Sequence, residues 1–287
     1  MTILSSSIIK LHALHSGQLG HDSGQWANAV FYGLLHQVDP VQAEALHQWN
    51  GRKPFTISSL GGLPKGNGPT VELRAGWECW LRVTTLGQEI FRPFIRHFLQ
   101  GGSRPQIRLG PLTFGVSEVL STPGSHPWAG YIESDQLLTG SDPVDSLTLD
   151  FVSPTVFNLG PRYELFPLPA LVFGSLATKW NAYLSPLLNR EEIEALAKDK
   201  AMISDFRLQT HTQRWQGRIQ KGFRGRCTYD LSQISDPHRH FLAALADFAL
   251  YAGVGGKTTQ GMGQCRRIVD GELRSHSTFK WSSPHLP

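Results

Sequence analysis

Cysteine is scarce. The chain has three (Cys79, Cys227 and Cys265), all far apart. That excludes a disulfide scaffold, and no Cys-x-x-Cys spacing points to a structural zinc site. A reduced, cytoplasmic setting is expected. Charge is also sparse, at 17 % of residues, and neither sign dominates: 27 Lys and Arg stand against 23 Asp and Glu, a net +4. Such a balance permits a polyanionic partner without requiring one. No run of about 18 apolar residues occurs, so no membrane-spanning helix is expected. The start, Met1-Thr2-Ile3-Leu4-Ser5, lacks the basic and long apolar stretches of a signal peptide. Apolar residues make up 40 % of the chain, enough for a packed core, and 287 residues at roughly 150 per domain predict two domains.

Periodicity divides the chain into short elements. Ser7 to Leu14 alternates as a strand. Ala27, Val30, Phe31 and Leu34 form one stripe of a helix over Gly24 to Gln37. Asp39-Pro40 breaks it and starts a second helix, Val41 to Trp49, ended by Asn50-Gly51. Phe55 to Leu60 reads as a strand, Gly61 to Pro69 as a loop, Thr70 to Thr84 as a strand, Gln88 to Gln100 as a helix and Gln106 to Leu120 as a strand. Ser121 to Ser146, rich in Pro, Gly, Ser and Asp, reads as loop and domain junction.

The second half repeats the grammar. Strand Leu147–Phe151, helix Ala170–Tyr183, strands Ser204–His211 and Gly222–Leu231, helix Pro237–Ala252 and strand Gly263–Val269 follow in order. Asp236 and Pro237 mark the last helix start, and Gly253 its end. Two β-α-β-β-α-β units predict an α+β chain of two tandem ferredoxin-like (RRM-like) domains, each a four-stranded antiparallel sheet with helices on one face. The expected limits are 1–125, a linker 126–145, and 146–287.

Three features bear chemistry. Gly253 to Gly263 holds five glycines in eleven residues, a loop whose N–H groups could hold phosphate oxygens. Gly256-Lys257-Thr258 suggests a nucleotide loop, but Tyr251 stands where the Walker pattern needs glycine, and the helix precedes rather than follows. From Arg207 to Arg226 the chain carries Arg207, Arg214, Arg218, Lys221, Arg224 and Arg226, with Trp215 and Phe223 interleaved. A hairpin turning near Gly217 would present these to a nucleic-acid backbone; a plain solvated basic face is the alternative. Tyr32 lies about 140° around its helix from Ala27, and His47 about 200° from Ala45 and Trp49, so both leave the buried stripes. With Lys53 they could serve attack of a ribose 2′-hydroxyl on the adjacent phosphate, which needs a proton acceptor, a proton donor and positive charge. His12, His15 and His21 do not share a helical face, so no metal is expected.

Taken together, these segments resemble the CRISPR-associated endoribonucleases that cut precursor CRISPR RNA within each repeat, the sixth Cas family of the repeat-associated RNA-binding superfamily. Gly253 to Gly263 resembles that family's glycine-rich signature, and Lys221-Gly222-Phe223-Arg224-Gly225 its shorter Gly-Phe segment. Ala45-Leu46-His47 followed by Gly51-Arg52-Lys53-Pro54-Phe55 resembles the stretch carrying the catalytic histidine and lysine, with Tyr32 where archaeal members place a tyrosine.

The resemblance implies metal-independent cleavage without a cofactor, leaving a 5′-hydroxyl and a 2′,3′-cyclic phosphate. His47 would be the general acid or base, Tyr32 its proton partner, and Lys53 the stabiliser of the phosphorane. Gly255, Gly256, Lys257, Thr258, Gly261 and Gly263 would form the RNA-binding loop. Charge adds Arg52, Arg214, Arg218, Lys221 and Arg224 as RNA contacts. His12, His15, His21 or His36 are the other candidates for the proton transfer. The expected partner is a CRISPR repeat RNA with a stem-loop. Two competing readings are a non-catalytic RNA-binding subunit among other Cas proteins of an effector complex, and a nucleotide-dependent enzyme using Gly256-Lys257-Thr258.

Overall fold

In the computed structural model, residues 2–64, 69–100, 105–215 and 218–268 are described, with the side chains at 99, 100, 215 and 218 outside that description. Strand β1 (Ile3–Ala13) runs through the middle of the first sheet. It begins four residues earlier than its periodicity predicts. Ser5, Ser6 and Ser7 are all buried there, and each hydroxyl has a partner: Thr85 Oγ1 at 2.7 Å, the Trp128 carbonyl, and Ser121 Oγ at 2.8 Å. A buried serine is tolerated when so satisfied, and no apolar pattern announces it.

After β2 (Gly17–Gly20) come α1 (Gly24–Val38) and α2 (Pro40–Gln48), then β3 (Phe55–Ile57). The run 70–84 is not one strand. Gly76, at φ 80°, lies in a turn between β4 (Thr70–Leu73) and β5 (Glu78–Leu86), and β4 pairs with β2 in a sheet of its own. Helix α3 (Gln88–Gln100) follows as expected. The run 106–120 is likewise a hairpin, β6 (Gln106–Leu109) and β7 (Leu112–Leu120), reversed at Gly110 with φ 58°. The 126–145 segment, expected as a linker, carries β8 (Gly130–Glu133) and α4 (Ser134–Gly140). Glu133 and Gln136 form a reciprocal capping box at the start of α4. The first sheet is therefore six-stranded rather than four: β3-β5-β1-β7-β6, with β8 sharing an edge of β1 with β7.

The second half contains β9 (Ser146–Thr155), the short pair β10 (Phe157–Asn158) and β11 (Tyr163–Glu164), and α5 (Pro169–Tyr183). Helix α6 (Arg190–Lys200) was not anticipated, although Asn189 caps it, acids fill its first turn and lysines its last. Then come β12 (Met202–Trp215), β13 (Arg218–Asp230), α7 (Asp236–Ala252), a 3-10 turn (Thr258–Gln260) and β14 (Cys265–Ile268). Ser235, not Asp236, stands at the cap of α7. The sheet order β12-β13-β9-β14 repeats β3-β5-β1-β7 of the first half, so both halves have the ferredoxin-like arrangement. The hairpin turn at Gly217, the loop residues Lys65 to Gly68 and the strand end at Val269 lie outside the described residues.

Each sheet has its own apolar core beneath its helices. The C-terminal core also takes in Leu4 and Leu86 of the first sheet. The two halves meet on the C-terminal end of α7, whose last carbonyls lack helical partners. Arg82, 1 % exposed on β5, donates to the Leu250 carbonyl, to Gln264 Oε1 at 2.5 Å and to Ser6 Oγ at 2.9 Å. Thr84 Oγ1 donates to the Tyr251 carbonyl at 2.6 Å. From the other side, Lys179 of α5, 6 % exposed, donates to the carbonyls of Ala252 and Gly253, both at 3.0 Å. Two cations thus sit at the negative end of one helix dipole. The Trp128 ring lies against both the Arg82 and Arg266 guanidinium groups, at 4.8 and 5.0 Å.

Burial lowers the Arg82 pKa to about 9, and burial together with the charge of Arg52 lowers that of Lys179 to about 7. Replacing Arg82 by Met should strand several buried acceptors and cost about 3–5 kcal/mol in urea unfolding. For Lys179 the unfolded chain holds more protons than the folded one between about 7 and 10.5. Stability from this group therefore rises with pH across that window, and Lys179→Met should flatten that rise when unfolding is followed from pH 7 to 10.

Candidate active site

Asp39 folds α2 back onto α1. Its N–H donates to the Leu35 carbonyl, ending α1, and its Oδ1 accepts from Gln42 N–H at 2.9 Å, starting α2 behind Pro40. Ala43 and Leu46 of α2 are buried, which leaves His47 exposed beside them. The fold-back sets the His47 imidazole edge-on to the Tyr32 ring, with centroids 5.1 Å apart and planes at 82°. Tyr32 is half-buried, edge-on to Phe31 and Phe55. Burial raises its pKa, so the phenol holds its proton.

Lys53 returns to the same helix end. Its Nζ donates to the carbonyls of Leu46 at 2.5 Å, His47 at 3.2 Å and Trp49. The ammonium thus caps α2 and sits on the backbone of His47 itself. Burial lowers its pKa. Tyr32, His47 and Lys53 are therefore brought together, with Arg52 exposed in the adjoining turn.

The glycine loop lies one helical turn away. Asn28 Nδ2 donates to the Thr259 carbonyl at 2.9 Å, and Tyr32 follows Asn28 by four residues on α1. A Cβ on Gly24 would stand 2.1 Å from the Gln260 oxygen. Gly261, at φ 88°, would place one 2.5 Å from Ser59 Oγ. The amides of Gly255, Gly256, Gly261 and Gly263 donate to Ser175 Oγ and to the carbonyls of Val156, Ile57 and Pro154. Gly261, with Gly24 opposite it, serves close packing between the halves, Gly255 and Gly263 pack within their own half, and the N–H groups of all four loop glycines are occupied by the protein. What the loop presents outward is Lys257, exposed and left-handed at φ 57°, with Thr258 half-buried beside it.

Of the basic residues of the hairpin, two, Arg214 and Arg224, line a cleft of about 780 Å³ between the halves, shared with Trp26, Trp80, His21 and His211. The Arg214 N–H donates to Asp22 Oδ2 at 2.6 Å, joining the hairpin to the first half. Lys221 is exposed on β13 opposite Thr212 and is not among the residues that line this cleft. The side chain of Arg218 lies outside the described residues. Trp26 and Tyr32 are six residues apart on α1, about 9 Å along its axis, so cleft and Tyr32–His47 pair flank the same helix. Of the other histidines, His21 and His211 face the cleft. The buried Arg82 and Lys179 and the half-buried Trp128 carry no sign in the sequence, because nothing local distinguishes a buried arginine on a strand from an exposed one.

Gly261→Ala combines a positive φ with a backbone-side clash and should cost about 2 kcal/mol or more. Gly256, whose Cβ would meet nothing nearer than 3.8 Å, should accept alanine within about 1 kcal/mol. Urea unfolding of the two variants tests the contrast.

Comparison with known proteins matches residues 4–139 to the CRISPR Cas6 N-terminal domain and residues 149–265 to the CRISPR-associated endoribonuclease Cas6 family. A CRISPR-associated endoribonuclease Cas6 of Mycobacterium tuberculosis is 30 % identical over 118 residues, 41 % of this chain and 37 % of that protein. The matched stretch thus spans well under half of that relative. Among solved structures, a Cas6 product complex is 30 % identical with a TM-score of 0.77, covering 92 % of this chain and all of the other. Thermus thermophilus Cas6 is 28 % identical with a TM-score of 0.73, covering 93 % of this chain and 99 % of the other.

Proposed function

The chain belongs to the Cas6 family of CRISPR-associated endoribonucleases, and from that premise we propose that it cleaves precursor CRISPR RNA within the repeat. The convergence of Tyr32, His47 and Lys53 at the end of one short helix carries this reading. A non-catalytic RNA-binding subunit would not need a tyrosine ring against the histidine and a lysine ammonium on the backbone of that same histidine.

The reaction is attack of the ribose 2′-hydroxyl on the adjacent phosphorus. The O2′–P bond forms and the P–O5′ bond breaks. One group takes the 2′ proton and another gives a proton to the departing 5′ oxygen, leaving a 2′,3′-cyclic phosphate and a 5′-hydroxyl. His47, exposed beside Tyr32, serves as general acid or base, since an imidazole can either give or take a proton. Tyr32, kept protonated by burial, donates to it or to the phosphorane. Lys53 acts on the phosphorane from the helix end it caps, as fixed positive charge. Charge comes from the protein in this scheme, so no metal takes part.

Repeat RNA with a short stem is the substrate. Arg52, Lys221, Lys257 and Thr258 lie at the surface for its backbone, with Arg214, Arg218 and Arg224 on the hairpin and Gly255, Gly256, Gly261 and Gly263 shaping the loop. Single-turnover cleavage of repeat RNA in excess EDTA should proceed at full rate. His47→Ala should slow it by about 10²–10⁴-fold with RNA affinity retained. A 2′-deoxyribose at the cut should block it. Loss of cleavage in EDTA, or an unimpaired His47→Ala variant, would refute this mechanism.

A further inference from the structure

The turn joining α2 to β3 carries Trp49, Arg52 and Lys53; within its own half the Lys53 ammonium ties it to the end of α2, and the backbone at Arg52 is held from elsewhere. The ends of the turn are tied by Trp49 N–H to the Ala45 carbonyl at 3.0 Å and by Leu86 N–H to the Pro54 carbonyl at 2.8 Å. Between them no residue of the turn pairs with a strand. The backbone bends over the Trp49 indole at Gly51, where a Cβ would lie 2.5 Å from the ring.

The tie at the centre of the turn comes from the other half. Tyr183 is the last residue of α5, and its ring packs against the C-terminal core. Its hydroxyl donates to the Arg52 carbonyl. The ring stands perpendicular to Trp49, with centroids 6.4 Å apart. Burial raises its pKa, so the hydroxyl is a donor at any working pH. One turn earlier on the same helix face, Lys179 grips the end of α7, where the glycine loop begins. Helix α5 therefore touches both the turn beside His47 and the root of the RNA-binding loop.

We infer that Tyr183 is a positioning residue for cleavage: from the C-terminal half it holds the 49–53 turn, and with it the Lys53 ammonium, in place against His47. This rests on the cleavage reaction proposed above. Nothing requires Tyr183 to touch RNA. Its effect should therefore appear in the rate of the chemical step rather than in affinity. One misplaced catalytic group costs far more in rate than in stability.

Tyr183→Phe keeps the ring and removes the donor. Its single-turnover rate on repeat RNA should fall by about 5–20-fold, on the scale of one lost hydrogen bond, while the Kd for the RNA stays within about twofold. In a Lys53→Ala background the same change should slow cleavage no further, because both act through one turn. Hydrogen exchange of the amides from His47 to Trp49 should quicken in Tyr183→Phe, with α5 unchanged. A wild-type rate in Tyr183→Phe, or full additivity with Lys53→Ala, overturns the inference. If the unaltered chain does not cut repeat RNA, the proposed reaction falls instead, and unchanged exchange at His47–Trp49 would still overturn the clamp.

Discussion

The C-terminal end of α7 is the point on which the two halves are assembled. A helix end leaves carbonyls unpaired, and burying them is costly without donors. Here Arg82 and Thr84 arrive from the first sheet and Lys179 from α5, so that four successive carbonyls from Leu250 to Gly253 are taken. A basic side chain at a helix C-terminus gains from the dipole and from its hydrogen bonds, against the desolvation that lowers the pKa of both Arg82 and Lys179. Neither half satisfies that end alone. The glycine loop leaves from the same place, so its position relative to α1 follows from the junction.

The proposed site uses two scales of organisation. Locally, Asp39 and Pro40 fold α2 onto α1 and put His47 against Tyr32 within a stretch of sixteen residues. Lys53 completes this unit by capping the helix that bears the imidazole. At longer range, Asn28 joins α1 to the glycine loop and Tyr183 joins α5 to the turn beside Lys53. A short exposed helix held only by its own contacts would fray readily. Ties from both sides restrict it at the place where proton transfer demands fixed geometry.

Several features were legible before the structure. The stripe of Ala27, Phe31 and Leu34, the Asp39-Pro40 break and the Pro237 start each follow from local chemistry, and each helix lies where its signals put it. Errors came where burial contradicts composition. Ser5 to Ser7 look like a polar lead-in but form the middle of a sheet. The 126–145 segment looks like a linker, yet its Gly130–Glu133 stretch completes the edge of β1 through backbone pairing, which leaves no side-chain pattern. Gly76 and Gly110 sit inside runs with strand composition, although a positive φ at glycine reverses the chain there. Helix α6 had clear end signals and was passed over for want of an apolar stripe longer than Ile193 and Ala197.

The amino-acid order by itself determined the repeated β-α-β-β-α-β plan, the placing of Tyr32 and His47 off the buried stripes of their helices, the basic hairpin and the terminal glycine loop. All depend on neighbours a few residues apart, where propensity and periodicity act. Tertiary structure alone decided why the loop needs Gly261, which gives clearance against Gly24 and Ser59, while the loop amides serve the protein. It also decided which of the hairpin cations, Arg214 and Arg224, line the cleft. The Tyr183–Arg52 and Arg82–Leu250 contacts, 131 and 168 residues apart in sequence, belong to the same class. Such contacts form only when separately folded halves dock, and a single side chain at that separation leaves no period or spacing to read.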